Sequence, residues 1–384
     1  MERNIKLLAI FNFFTDLKFH SAILILYFVH ITGSFALGMS IFAIVQLFSA
    51  LFEVPTGIFS DFIGRKNTLV MGTLFAVISA VLYAVGLNYW YLFFGAIAEG
   101  VSKAWYSGNN DALLHDSLRV LGKKEFFDHY YGRLSSMFQL APMIGAVAGS
   151  IMAYWSFSLV MWLSVIPQIL CMITGFFIKE PQRKRKESSN IFSHLQTSAI
   201  FLWRNKILRL ISLQDILAFG ITEATFNFRA AFIITLWPTW AIGVSKSLSY
   251  LGAMISFWYG SRIIRRLGAF KTLFIGRIWG RLSNFIALLY PSLASPIIMP
   301  SSSLLYGAIN VATTSIMQKE FTNEQRATMS SLNSFLGSIL FAVFSLTLGA
   351  VADQIGPRLA LLVAECLMFP VLFITWKLYA IKKS

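Results

Sequence analysis

The sequence predicts an all-α membrane protein in which about twelve transmembrane helices form two six-helix bundles. Three observations carry that expectation. Hydrophobic residues make up 57% of the 384 residues and charged residues 13%, with a mean hydropathy of +0.67, too much apolar surface for ordinary soluble domains. Apolar blocks of about 20 residues recur, the length that crosses a hydrocarbon core of about 30 Å at a rise of about 1.5 Å per residue. Finally, basic residues gather in every second connection between the blocks.

The blocks run from Leu7 to Ile31, Phe35 to Phe59, Thr68 to Leu87, Trp90 to Leu114, Leu134 to Trp155 and Ser158 to Ile178. After a polar interval they resume at Leu210 to Trp237, Leu248 to Ile264, Leu273 to Leu289, Pro296 to Met317, Ala327 to Val351 and Leu359 to Tyr379. The interval 179–206 opens on Lys179-Glu-Pro-Gln-Arg-Lys-Arg-Lys-Glu, too charged and proline-broken to enter lipid. It predicts a cytoplasmic linker between bundles at 1–178 and 207–384, with Ile191 to Asn205 lying along the membrane surface as an amphipathic helix.

The net charge of +15 follows the loops. It sits at Arg3 and Lys6, Arg65 and Lys66, Arg119 to Lys124, Lys179 to Lys186, Arg262 to Lys271, Lys319 to Arg326, and Lys377 to Lys383, while the intervening connections hold little more than Lys246 and Arg358. The positive-inside rule therefore predicts a multi-pass protein of the cell membrane with both termini in the cytoplasm. A charge spread in this alternation does not form a nucleic-acid patch, and the expected partners are the bilayer and a small molecule, with the chain a monomer. Cys171 and Cys366 fall inside apolar blocks and are expected to pack as reduced thiols. The N-terminal apolar run continues into Asp16, Lys18 and His20 without a small-residue cleavage site, and reads as an uncleaved first span.

The halves echo each other. Gly64-Arg-Lys-Asn-Thr68-Leu69-Val-Met-Gly72 aligns without gaps on Gly268-Ala-Phe-Lys-Thr272-Leu273-Phe-Ile-Gly276, each between the second and third block of its half. Such an internal repeat is expected of secondary transporters.

Between the second and third blocks lies Gly57-Ile-Phe-Ser-Asp61-Phe-Ile-Gly64-Arg65-Lys66, read as a tight charged turn with a glycine at each end. Gly57, Asp61, Gly64, Arg65 and Lys66 match the pattern G-x-x-x-D-x-x-G-R-K, and the chain resembles the major facilitator superfamily of transporters. The run Glu99 to Leu118, with Ser107-Gly108, Asp111 and Asp116-Ser-Leu, is similar to the fourth helix of bacterial facilitators. Pro142, Gly145 and Gly149 resemble the fifth-helix motif G-P-x-x-G-G of antiporters, with alanine at two of its glycines. Arg326-Ala-Thr-Met-Ser-Ser and Gly349-Ala-Val-Ala-Asp353-Gln-Ile-Gly356 are similar to helix 11 and its exit loop. The resemblance implies two bundles that rock around a central site, with the Asp61 motif as a conformational gate and efflux by proton exchange as its activity. Uptake by symport or facilitated diffusion uses the same fold. The chain departs from drug/proton antiporters at Gly95 and Ala96, where their fourth helix carries an arginine, and at Arg265, which replaces Asp61 in the second copy.

Ionisable residues at membrane depth cost at least about 2.5 kcal/mol each and mark function by default. Asp16 lies about 13 Å into the first span, with His20 expected one turn later on the same face, a pair suited to carrying a proton. Glu99 and Lys103 are spaced for an intrahelical ion pair. Glu223 and Arg229 occupy the seventh span, Arg277 and Arg281 share a face of the ninth and are placed to snorkel, and Glu365 lies in the twelfth. Trp105, Tyr106 and Asp111 are further cavity candidates. No catalytic residue or metal ligand set is expected. None of His20, His30, His115, His129 or His194 has an aspartate five positions on, and neither an H-E-x-x-H pair nor a phosphate-binding G-x-x-x-x-G-K-[ST] loop occurs. The expected energy source is a proton gradient, without a bound cofactor.

Overall fold

Each long apolar block becomes helix, because in lipid a helix alone satisfies its own backbone polar groups. The computed structural model describes residues 2–107, 109–123, 127–181, 205–320 and 325–383. At 54, 58, 61, 127–129, 131–138, 318–320, 325–330 and 382–383 it describes the backbone alone. The greater part of the predicted linker, including the surface helix from Ile191, lies outside the described residues, as do Gly108, His194 and the side chains of Asp61, His129 and the run from Arg326 to Ser330.

The first span is broken. α1 (Glu2–Asp16) stops within it, a 3-10 turn follows at Phe19–Ala22, and α2 (Leu24–Thr32) completes it. The second to sixth spans are α3 (Phe35–Ile63), α4 (Arg65–Val85), α5 (Tyr89–Tyr106) continued by α6 (Asn109–Val120), α7 (Phe127–Ala153) and α8 (Phe157–Phe177). Polar residues start several of them. The hydroxyls of Ser34 and Ser156 accept from the N–H of Leu37 and Leu159, and Asn88 Oδ1 accepts from Trp90 N–H, each satisfying a donor that a helix start leaves open.

The seventh to twelfth spans are α9 (Lys206–Ile233), α10 (Thr239–Leu267), α11 (Ala269–Leu289), the group α12 (Ser295–Ile298), a 3-10 turn (Met299–Leu305) and α13 (Tyr306–Glu320), then α14 (Gln325–Ile355), and finally α15 (Pro357–Cys366) with α16 (Phe369–Lys383). The eighth span begins nine residues before the apolar block that predicts it, at Thr239 rather than Leu248. Ser245, Lys246 and Ser247 interrupt the hydropathy without interrupting the backbone ladder.

The predicted repeat is exact in length. Adding 204 to α3 (35–63) and α4 (65–85) gives 239–267 and 269–289, the bounds of α10 and α11. Gly64 and Gly268 form both one-residue turns at φ +88° and +82°, a backbone region open to glycine and strained for other residues. Thr68 and Thr272 then donate to the carbonyls of those glycines at 2.7 and 2.8 Å. The ten-residue turn read from the motif is therefore shorter than expected. Gly57 to Ile63 continue α3, and Gly64 alone reverses the chain.

The elements fall into two units, residues 1–187 with 238–247, and residues 188–237 with 248–384. In the first, α5 packs on α3 and α4, α8 packs on α4 and α1, and α7 packs on the 3-10 turn of the broken span. In the second, α9 packs on α14 and α16, and α11 on α13 and α16. Among the described residues five segments are long and apolar enough to cross a bilayer unaided: Phe35–Glu53, Arg65–Val85, Phe157–Phe177, Ser331–Ile355 and Pro357–Ile381. The other spans fall short through a break, through length or through polar content, and polar residues of the first and fourth spans build the site.

Candidate functional site

The break in the first span is held on three sides. Gln168 Nε2 donates to the Phe14 carbonyl at 3.3 Å, and Ser164 Oγ accepts from His20 N–H at 3.3 Å, so α8 satisfies backbone groups that the end of α1 leaves open. On the third side are the glycines of the fifth span. A methyl at Gly145 would stand 2.8 Å from the Lys18 carbonyl, and one at Gly149 would overlap the Phe19 carbonyl. The motif Pro142, Gly145, Gly149 thus serves backbone packing, with Pro142 inside α7 and the two glycines receiving the non-helical stretch.

That stretch opens a cavity of about 430 Å³ in the first unit, lined by Asp16, Lys18, His20, Glu99, Lys103, Tyr106 and Asp111, with Ala76 and Ala80 as apolar wall. Six of the sixteen lining residues are predicted site residues. Lys18 is not, and it is central: its Nζ stands 2.7 Å from Glu99 Oε1, whereas Lys103 stands 3.9 Å away. The expected Glu99–Lys103 pair is therefore secondary. The reason lies in the break, since Lys18 sits in extended backbone (φ −112°, ψ 103°) and reaches across to α5. Tyr83 Oη donates to Glu99 Oε2 at 3.1 Å, so the carboxylate has a partner on each oxygen. The same break corrects the reading of Asp16 and His20 as neighbours on one helical face, because α1 ends at Asp16 and His20 belongs to the 3-10 turn. Both still reach the cavity.

Trp105 does not line this cavity; its ring packs 6.2 Å from that of Phe59. Tyr106 does, in edge contact with Phe11 at 5.7 Å. Asp16 and Asp111 form no ion pair among the described residues.

At the Gly64 turn, Arg65 Nη1 contacts Asp116 Oδ2 at 2.8 Å, and Arg119 lies 3.4 Å from the other oxygen. Glu180, just beyond α8, accepts from the backbone N–H groups of Arg65 and Lys66 at 3.0 and 2.6 Å. A carboxylate thereby meets the positive end of α4. Glu180 is a residue that sequence reasoning misses, for it sits in a basic run 114 positions from the helix it caps.

In the second unit Arg281 Nη1 donates to Glu365 Oε2 at 2.5 Å, Asn284 Nδ2 to Glu365 Oε1 at 2.8 Å, and Arg229 Nη2 to Asn284 Oδ1 at 3.2 Å. Three predicted residues are thus joined through Asn284, which carries no charge to mark it. Arg281 is buried rather than snorkelling. Arg277 meets the Gln214 carboxamide at 2.9 Å when that amide turns its oxygen toward it. Glu223 lies in α9, where its backbone carbonyl accepts from Asn227 Nδ2 at 2.9 Å.

The comparisons with known proteins agree with this architecture. An uncharacterized transporter of Buchnera aphidicola subsp. Acyrthosiphon pisum (strain APS) is 26% identical over 172 residues, covering 44% of this chain and 42% of that protein. The match therefore spans less than half of that relative. Multidrug resistance protein 2 of Bacillus subtilis (strain 168) is 21% identical over 363 residues, 91% of this chain and 88% of the relative. The crystal structure of the nucleoside transporter NupG superposes with a TM-score of 0.78 at 13% identity, over 100% of this chain and 99% of that one, which shows a shared fold. The family model of the Major Facilitator Superfamily matches residues 7–342, and a chain with that match, a two-helix internal repeat and the Gly64 turn belongs to the Major Facilitator Superfamily of membrane transporters.

Proposed function

We propose that this transporter exports a small amphiphilic compound in exchange for protons, alternating access between the two sides of the membrane, with both termini on the cytoplasmic side. The observation that carries the reading is the cavity at the broken first span, where three carboxylates, two lysines and a histidine are gathered at membrane depth. Charges kept there at such cost mark a translocation or proton site. The apolar wall of Ala76, Ala80 and the Tyr106 ring suits the non-polar part of a cargo, and export accords with the multidrug resistance relative. Asp16 is the proton carrier in this reading, since it reaches the cavity at the break of the first span and forms no ion pair among the described residues. The turn at Gly64, with Asp61 in the preceding helix and the Arg65–Asp116 and Glu180 contacts around it, acts as the conformational gate.

The test is transport by purified protein in proteoliposomes, with cargo first identified by a toxicity screen under over-expression. Asp16→Asn is expected to lower accumulation driven by a pH gradient at least tenfold while leaving cargo counterflow in place. Undiminished driven transport would remove Asp16 from proton coupling.

A further inference from the structure

We propose that Lys18 is a displaceable counter-ion: a tethered ammonium that occupies Glu99 in the empty carrier and gives way to a cargo bearing its own ammonium and further N–H donors. The inference rests on the cavity being the cargo site.

Two features assign the moving part to Lys18 and the fixed part to Glu99. Glu99 projects from the interior of α5 and is anchored by Tyr83 Oη at 3.1 Å. Lys18 lies between helices, its side chain is 29% exposed and borders the cavity, and among the described residues its ammonium hydrogen-bonds to Glu99 alone. A flexible four-carbon stem with a compact ammonium is the partner suited to swing away. Glu99 is in effect an ammonium receptor already formed and already filled from within the chain.

The rest of the wall states what a replacement must bring. Gln168 is 3% exposed, its Nε2 is committed to the Phe14 carbonyl, and its Oε1 has no partner among the described residues. Asn110 donates through Nδ2 to Asn12, and its Oδ1 is likewise buried without a partner. The carboxylates of Asp16 and Asp111 stand on the same wall and form no ion pair among the described residues. Lys18 and Lys103 both already stand at Glu99. A carboxylate or phosphate cargo would meet this surface with the wrong sign, whereas an ammonium with additional N–H groups complements it.

Displacement has a quantitative signature. A ligand that needs a site open only part of the time binds more weakly by that fraction, so a Lys18 occupancy of about 90% costs an ammonium about tenfold in apparent affinity. The arrangement keeps Glu99 compensated both before and after cargo binds, while the released Lys18 ammonium, which borders the cavity, rehydrates there.

The experiment is calorimetric titration of the purified full chain in lipid nanodiscs, without any gradient. The probes are 3-phenylpropylammonium, 3-phenylpropanol and 3-phenylpropanoate, equal in shape and different in head group. The ammonium is expected to bind best, Lys18→Met to tighten it about tenfold while leaving the alcohol unchanged, and Glu99→Gln to erase the preference for ammonium. Lys18→Arg, whose fork holds a carboxylate through two N–H groups, is expected to weaken the ammonium and serves where the methionine variant fails to fold. Unchanged or weaker ammonium binding in Lys18→Met, stronger ammonium binding in Lys18→Arg, a preference for the carboxylate, or no ammonium binding in any variant would overturn the inference. A chain that binds as stated yet moves nothing under a pH gradient keeps this inference and loses proton-coupled export.

Discussion

Two buried acids, Glu99 and Glu365, have the same formal partnership with a cation and different surroundings. Glu365 is 2% exposed in its side chain and Arg281 9%, and neither has water to fall back on. Removing one member of a fully buried pair costs about 3–5 kcal/mol, because the other charge is left without compensation. Lys18 borders a cavity and can rehydrate, so Glu99→Gln is expected to cost less, about 2 kcal/mol. Thermal unfolding in detergent should rank the variants in that order, Glu365→Gln with the larger fall in melting temperature. The double variant Lys18→Met with Glu99→Gln should regain most of what Glu99→Gln loses, because with both charges removed neither is left buried without compensation. Equal losses in the two single variants would mean that Lys18 is sealed from water. Much of this residue-level chemistry was legible in the sequence, since a charge inside an apolar block stands out whatever the fold. Partnership was not. Which base meets Glu99 depends on where the first span breaks, and the uncharged members, Tyr83, Gln168 and Asn284, have nothing in their local pattern to distinguish them from packing residues.

The broken span is the element on which the site depends, and no proline or glycine announces it. Asp16, Leu17 and Lys18 are compatible with continued helix, so a reading based on apolar length alone gives one straight helix over Leu7 to Ile31. The stop is written instead on its neighbours, in Gly145 and Gly149 of α7, which admit the Lys18 and Phe19 carbonyls, and in Gln168 and Ser164 of α8, which satisfy the freed backbone. This predicts an asymmetry between glycines. Gly149→Ala places a methyl on a backbone carbonyl that has no side-chain freedom with which to yield, and should lower stability by about 2 kcal/mol or more while disturbing the cavity, as overpacking does. Gly57→Ala introduces its methyl into open space inside α3 and should be neutral or gain about 0.5–1 kcal/mol from helix propensity. Melting temperatures of the two variants, measured side by side, check both. A neutral Gly149→Ala would show that the break does not depend on the glycine face.

At the scale of the molecule, the repeat explains why so much of the fold was visible early. The alignment of Gly64 to Gly72 on Gly268 to Gly276 extends in the structure to two consecutive helices of equal length, 29 and 21 residues, in each half. Backbone geometry is conserved between the copies while charge is not: Arg265 stands where Asp61 does, and Ala269 where Arg65 does. A turn needs only glycine's φ and a following helix start, so it survives the loss of the acid and base, which leaves the ion-pair cluster a property of the first copy. What the repeat does not set is direction through the membrane; that rests on charge, because translocating a short basic loop against the positive-inside bias is unfavourable. The connection after α4 carries no lysine or arginine between Val85 and Tyr89, whereas the Gly268 turn joining α10 to α11 is flanked by Arg262, Arg265 and Arg266 on one helix and Lys271 on the other. Single cysteines at exposed Leu87 and exposed Lys271, in a chain with exposed Cys366 changed to serine and Cys171 left buried, convert this into a measurement. A membrane-impermeant maleimide is expected to label Leu87→Cys in intact cells and Lys271→Cys only after permeabilisation. Labelling of Lys271→Cys in intact cells would place the basic loops outside and reverse the proposed direction of the carrier.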